Sequence, residues 1–140
     1  MTDRGCNDED IYKHRELTDA IICCFYTVYN TLGFGFLEKV YENALLLELA
    51  KRQITATAQW PITVYYGENP VGDYFADILV EGKVIVEVKA VKQLAPEHES
   101  QLFNYLRATE IEVGLLLNFG PQPQVRRRSF DNRRKASRGG

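Results

Sequence analysis

This 140-residue sequence has no apolar run near the roughly 18–20 residues that a membrane span requires. No membrane partner is therefore expected. Cysteine is scarce: Cys6, Cys23 and Cys24 are odd in number and have no metal-ligand spacing, which excludes a cysteine-built metal centre. Cys23 and Cys24 fall inside an apolar helical pattern, where a free thiol acts as a small hydrophobe. The opening "MTDRGCNDEDIYK" is acidic and polar, unlike a signal peptide, so a reducing cytoplasm is the expected location. No internal repeat is present.

What is there is an ordinary globular composition, 45% hydrophobic and 26% charged, at a length that suits one domain. Its net charge of −2 is unevenly spread. From Arg126 onward, "RRRSFDNRRKASRGG" carries seven basic residues and one acid, for +6, and the preceding chain carries −8. Such a tail can touch phosphates, but composition alone reads it as a solvated end. Residues 1–12 are expected to be flexible, 13–120 to form the domain, and 121–140 to be a basic, disordered tail.

Helical spacing of Leu17, Ala20, Ile21, Cys24, Phe25 and Val28 predicts a helix over 13–32, stopped by "GFG" at 33–35. A second helix is expected over 36–52, with Leu37, Val40, Tyr41, Ala44, Leu45 and Leu49 buried. The period then changes to two. Strands are expected within 61–66, at 73–80 and at 83–91, with "GENP" and "EGK" as turns. A helix over 96–109, begun by Pro96, precedes a last strand over 112–120 that is apolar on both faces. The fold class is α/β, a four-stranded mixed sheet flanked by helices in the order α-α-β-β-β-α-β. A helix between two strands of one sheet makes those strands parallel.

Inside "VIVEVKAV" (84–91), Glu87 and Lys89 share a face with Ile85. Charges in so apolar a strand are costly to bury unless compensated. Asp77 stands among apolar neighbours in the strand before. A two-residue turn at Glu81-Gly82 would put Asp77 and Glu87 on opposite faces. An odd-length loop or a bulge would put them on one, as would Gly82 left-handed as the third residue of a three-residue turn. Two carboxylates then meet one ammonium, a donor set for a hard divalent cation such as Mg²⁺. The plainer alternative is an exposed cross-strand charge ladder. Two helical pairs weigh against it: Glu38 with Tyr41, and Gln101 with Tyr105, each on one helix face.

These residues resemble a known family. "GFLEKVY" (Gly35, Glu38, Tyr41) is similar to the signature of the GxxExxY proteins, a branch of the PD-(D/E)XK nuclease superfamily. The likeness runs from about Leu17 to Gly120. Asp77, Glu87 and Lys89 match the D…E-x-K core, Gln101 and Tyr105 look like the Q-x-x-x-Y element of RecB-like exonucleases, and no Pro precedes Asp77. The resemblance implies a restriction-endonuclease-like fold and Mg²⁺- or Mn²⁺-dependent hydrolysis of nucleic-acid phosphodiesters. Asp77, Glu87 and the carbonyl of Val88 would hold the metal, with Glu38 binding directly or through water. Lys89 would orient or help deprotonate the attacking water, Gln101 and Tyr105 would position substrate, and Arg107 and the basic tail would touch phosphates. Four iron–sulfur cysteines are lacking. The alternative is a nuclease fold that binds protein or nucleic acid without cutting, to which the −8 of the body lends some weight. A small-molecule or nucleotide hydrolase at the same metal site is a third reading. The oligomeric state is not legible.

Overall fold

Two helices, a hairpin and a parallel crossover build the domain, seen in a computed structural model that describes residues 13–135. The expected flexible segment 1–12 and the last five residues lie outside the described residues. Helix α1 (Arg15–Leu32) buries Thr18, Ile21, Cys24, Phe25 and Val28, a stripe with the spacing of a helix. It ends at Gly33, whose φ of 70° few other residues adopt and whose N–H donates to the Tyr29 carbonyl. Helix α2 (Glu38–Lys51) buries Tyr41, Glu42, Leu45 and Leu49. This corrects the expected stripe. Leu37 is the extended residue before the helix and is 81% exposed, and Val40 is exposed too. The buried face is turned so that a glutamate, Glu42, sits in it.

The sheet has five strands, not four: β1 (Ala56–Tyr66), β2 (Asn69–Val80), β3 (Val84–Lys89), β4 (Val113–Phe119) and β5 (Pro123–Ser129). They lie side by side in chain order. All neighbours are antiparallel except β3 and β4, which are parallel, as the intervening helix α3 (Pro96–Ala108) dictates. Strand β4 is buried along its whole length and needs a neighbour on both edges.

The stretch expected to be a disordered tail supplies that neighbour. Strand β5 pairs with β4 from Val113↔Ser129 to Phe119↔Pro123. Its arginines are tied down within the domain: Arg126 and Arg128 pair with Glu99, and Arg127 donates to the carbonyl of Lys13. Their aliphatic stems cover the sheet while the heads find partners, so an arginine-rich strand is half-buried at modest cost. A short 3-10 helix follows (Asn132–Lys135), and the buried Lys135 ammonium donates to the carbonyls of Thr109 and Ile111 at 3.0 and 2.8 Å.

Each sheet face has its own core. Helices α1 and α2 cover one, where Phe25, Tyr41 and Leu45 meet Val86, Leu115 and Phe119. Helix α3 covers the other, where Leu102 and Leu106 meet Ile62, Ile85 and Leu116. Helix α3 lies directly on Gly114, where any Cβ would meet Leu102 Cδ1 at 2.6 Å. That close approach sets the height of Gln101 and Tyr105 above the sheet.

Candidate active site

The β2–β3 connection decides whether Asp77 and Glu87 share a face. Val80 pairs with Val84, leaving Glu81, Gly82 and Lys83 as a three-residue loop. The connection is odd-length, with one difference from expectation: Glu81 and Gly82 are both left-handed, at φ 55° and 66°, and Gly82 is the middle residue. Lys83 N–H closes the turn onto the Val80 carbonyl at 2.9 Å.

The regular β2–β3 ladder stops at Ile78↔Val86. Beyond it, side chains take over from backbone. The amide of Asp77 donates to Glu87 Oε2 at 2.9 Å, and the amide of Val88 donates to Asp77 Oδ2 at 2.8 Å. The same point is a kink in β2. Ala76 packs under α3 but Ile78 packs under α1 and α2, although residues two apart share a face in a regular strand. Across β1, Gln59 adopts φ 53°, between the pairs Ala58↔Ile78 and Trp60↔Ala76. The carboxylates therefore sit where the hairpin switches faces.

Both are short of compensating charge. Glu87 is 3% exposed, and burial, then the Asp77 charge, push its carboxyl up to about 8. Burial pushes Asp77 up to about 6 against the pull of the Val88 amide, with Glu42 and Glu38 adding to the rise. Lys89 lowers both, but by less than burial raises them. A salt bridge to Lys89 is thus not what holds this pair. Near neutral pH Glu87 therefore retains a proton that a cation would displace, while Asp77 is largely ionised beside it.

Lys89 is instead tethered to α3. Its Nζ donates to Gln101 Oε1 at 3.3 Å, and Gln101 Nε2 donates to the Tyr105 hydroxyl at 3.2 Å. Burial and the Glu87 and Asp77 charges push the Tyr105 phenol up to about 12, so it stays neutral. Accepting from Gln101, the phenol keeps its own proton to donate. One hydrogen-bonded chain thus joins three of the expected residues, Lys89, Gln101 and Tyr105.

The signature around Glu38 divides differently. Tyr41 is fully buried, stacks on Phe119 at 4.3 Å, donates to the Gly33 carbonyl at 2.6 Å and accepts from the Phe36 amide at 3.2 Å. It pins the loop before α2. Glu38 is exposed, and its charge raises Asp77 by less than that of Glu42. Glu42, one turn on, was not anticipated. It is 5% exposed, bonded to Lys39 Nζ and Gln59 Nε2 at 3.3 Å each, and its charge raises both Asp77 and Glu87. A glutamate at helical spacing with Leu45 and Leu49 was the available signal, the same one that singled out Glu87.

The donor set fits a hard cation. Asp77 and Glu87 offer oxygen only, and among the described residues no group of three His, Cys, Asp or Glu side chains is placed to hold a metal ion. Two carboxylates would leave coordination positions to water and substrate, as a hard divalent cation requires. Val88 reaches this site through its amide. Arg107 is exposed on the last turn of α3. Among the described residues no helix is long and apolar enough to cross a membrane.

A family model of the PD-(D/E)XK nuclease superfamily matches residues 15–129, from the start of α1 to the end of β5. Among solved structures, the crystal structure of SSO0001 aligns with a TM-score of 0.52 and 16% identity, over 71% of this chain and 54% of that one. This chain therefore spans about half the length of SSO0001, and the likeness is one of fold. No curated protein gives a significant match.

Proposed function

This chain belongs to the PD-(D/E)XK nuclease superfamily, and from that premise we propose that it hydrolyses nucleic-acid phosphodiesters with Mg²⁺ or Mn²⁺ at Asp77 and Glu87. One observation carries the reading: two interlocked carboxyls, Glu87 buried and Asp77 half-buried, are held above their ordinary range beside a lysine that does not neutralise them. The finer resemblance to GxxExxY and RecB-like proteins supports the same assignment, through Gly35, Glu38, Gln101 and Tyr105.

Asp77, Glu87 and the Val88 carbonyl would hold the cation, with Glu38 as an outer acid. When bound, the cation supplies Lewis acidity toward the phosphate and a more acidic water. Lys89, steadied by Gln101, places a positive charge where the attacking water and the phosphate oxygens meet. The neutral Tyr105 phenol donates a hydrogen bond to substrate. Glu42, held by Gln59, keeps the local field negative and so favours occupancy by a cation. Incubation with labelled single- and double-stranded DNA and RNA, in Mg²⁺, Mn²⁺ or EDTA, tests this. Metal-dependent cutting that Asp77→Asn abolishes is expected; no cutting of any strand, or cutting in EDTA, refutes it.

A further inference from the structure

An open groove of about 1070 Å³ begins at Gln101 and Tyr105 and runs between the far half of the β1–β2 hairpin and α3 to the C-terminal segment. Its walls carry Tyr65, Tyr74, Tyr105 and Phe130. Tyr65 and Tyr74 are 58% and 50% exposed, an unusual state for two large rings on one side of a hairpin end. The Tyr74 and Tyr105 rings lie 6.0 Å apart, so the exposed aromatic surface reaches the catalytic chain. At the far end the Arg134 guanidinium sits over the Phe130 ring at 5.3 Å.

Charge in this groove is sparse. Arg107 and Arg134 are exposed in its wall and Glu97 opposes them, while the Lys135 ammonium is committed to two backbone carbonyls. The three arginines of β5 are likewise engaged within the domain. A duplex is gripped through phosphates on both strands and hides its base faces. This groove offers ring faces and two guanidinium groups, the surface that unpaired bases and one thin backbone require.

We propose that the groove binds single-stranded nucleic acid, with bases stacked on Tyr74 and Tyr65 and the backbone met by Arg107 and Arg134, and delivers it to Asp77 and Glu87. The proposal names the substrate of the nuclease site above and rests on that reading for the delivery step alone. Binding stands by itself.

The test uses the full chain carrying Asp77→Asn, so that strands survive, with fluorescein-labelled 20-mers of DNA and RNA, unpaired or duplex, read by anisotropy. The unpaired strands should bind at least tenfold more tightly than the duplexes. Tyr74→Ala and Tyr65→Ala should each weaken unpaired binding roughly tenfold, and Tyr74→Phe should restore it, since stacking needs the ring and not the hydroxyl. Arg107→Ala should lower the salt slope by about one. The DNA and RNA arms identify the sugar preferred. Duplexes bound as tightly as single strands, no binding of either, or both alanine variants neutral while folded would overturn the proposal. Wild-type cutting of the same oligonucleotides in Mg²⁺ is scored separately. Cutting without strand or ring preference sinks the groove and leaves the nuclease; ring-dependent binding without cutting does the reverse.

Discussion

The backbone amide of Asp77 donates to the Glu87 side chain at 2.9 Å, at the step where the β2–β3 ladder gives way. The carboxylate of Glu87 therefore replaces a strand partner, and neither residue can move without opening the sheet. Glu87 is fixed by backbone as well as aimed by it, which is the preorganisation a reactive centre needs.

The first consequence is a pH dependence of stability without metal. Asp77 and Glu87 are raised to about 6 and about 8 in the fold, against ordinary values of 3.8 and 4.5. The folded state thus binds these protons more tightly than the unfolded chain. The resulting stabilisation is complete below about pH 4 and is lost as pH rises through 6 and then 8. In EDTA, the melting temperature of wild type should fall across that window more steeply than that of Glu87→Gln. Equal slopes by calorimetry would show that the pair is not raised.

Lys89→Ala should separate metal binding from catalysis. The carboxylates remain, so metal-dependent stabilisation persists, while cleavage falls by roughly a hundredfold or more, as for loss of a transition-state donor. Gln101→Ala, which removes only the 3.3 Å tether of Lys89, should cost less and should leave KM near its wild-type value. Loss of metal-dependent stabilisation in Lys89→Ala would return Lys89 to a structural ion pair.

Glu42 and Glu38 can be ranked directly. Glu42 raises both carboxyls, whereas Glu38 contributes to Asp77. Glu42→Gln should shift the carbon-13 titration of the Glu87 carboxyl to lower pH in metal-free protein. Glu38→Gln should leave that titration in place. The opposite ranking would restore Glu38 as the principal helical acid.

Gly114→Ala tests how α3 is seated. A methyl at 2.6 Å from Leu102 Cδ1 forces the helix or the side chain to shift, at a cost of about 1–3 kcal/mol by overpacking. Cleavage should fall further than stability explains, because Gln101 precedes Leu102 on α3. Thermal melts and kcat on the variant check both halves, and a neutral result would show that α3 has room to spare.

Much of this arrangement could be read from residue order, and the failures have a common cause. Periodicity located α1, α2, α3, β3 and β4 because their burial patterns are local, but it found only part of the hairpin, since β1 begins at Ala56 rather than 61 and β2 at Asn69 rather than 73. The odd loop at Glu81–Lys83 was one of the connections the residues left open, the kind that brings Asp77 and Glu87 to one face. Strand β5 was not legible, since "QVRRRS" is apolar at one position and its arginines find Glu99 and the Lys13 carbonyl far away in sequence. Nor was the kink at Asp77: Gln59 is left-handed at a position with no glycine to announce it. Helix α2 shows the mixed case. Its existence was plain, but its rotation depends on Leu37 lying outside the helix, and that rotation exchanges Val40 for Glu42 in the buried face.

The most direct measurement is the melting temperature of wild type and Asp77→Asn by calorimetry at pH 8, across a Mg²⁺ titration. A cation that compensates the Asp77–Glu87 pair stabilises the fold by mass action, about 2.7 kcal/mol at a hundredfold excess over Kd. Wild type should therefore gain several degrees, rising with Mg²⁺. Asp77→Asn should start at or above the metal-free wild type and not respond. A wild type indifferent to Mg²⁺, with Asp77→Asn and Lys89→Ala both destabilised, would mean that a salt bridge holds the pair and that the metal-dependent account is wrong.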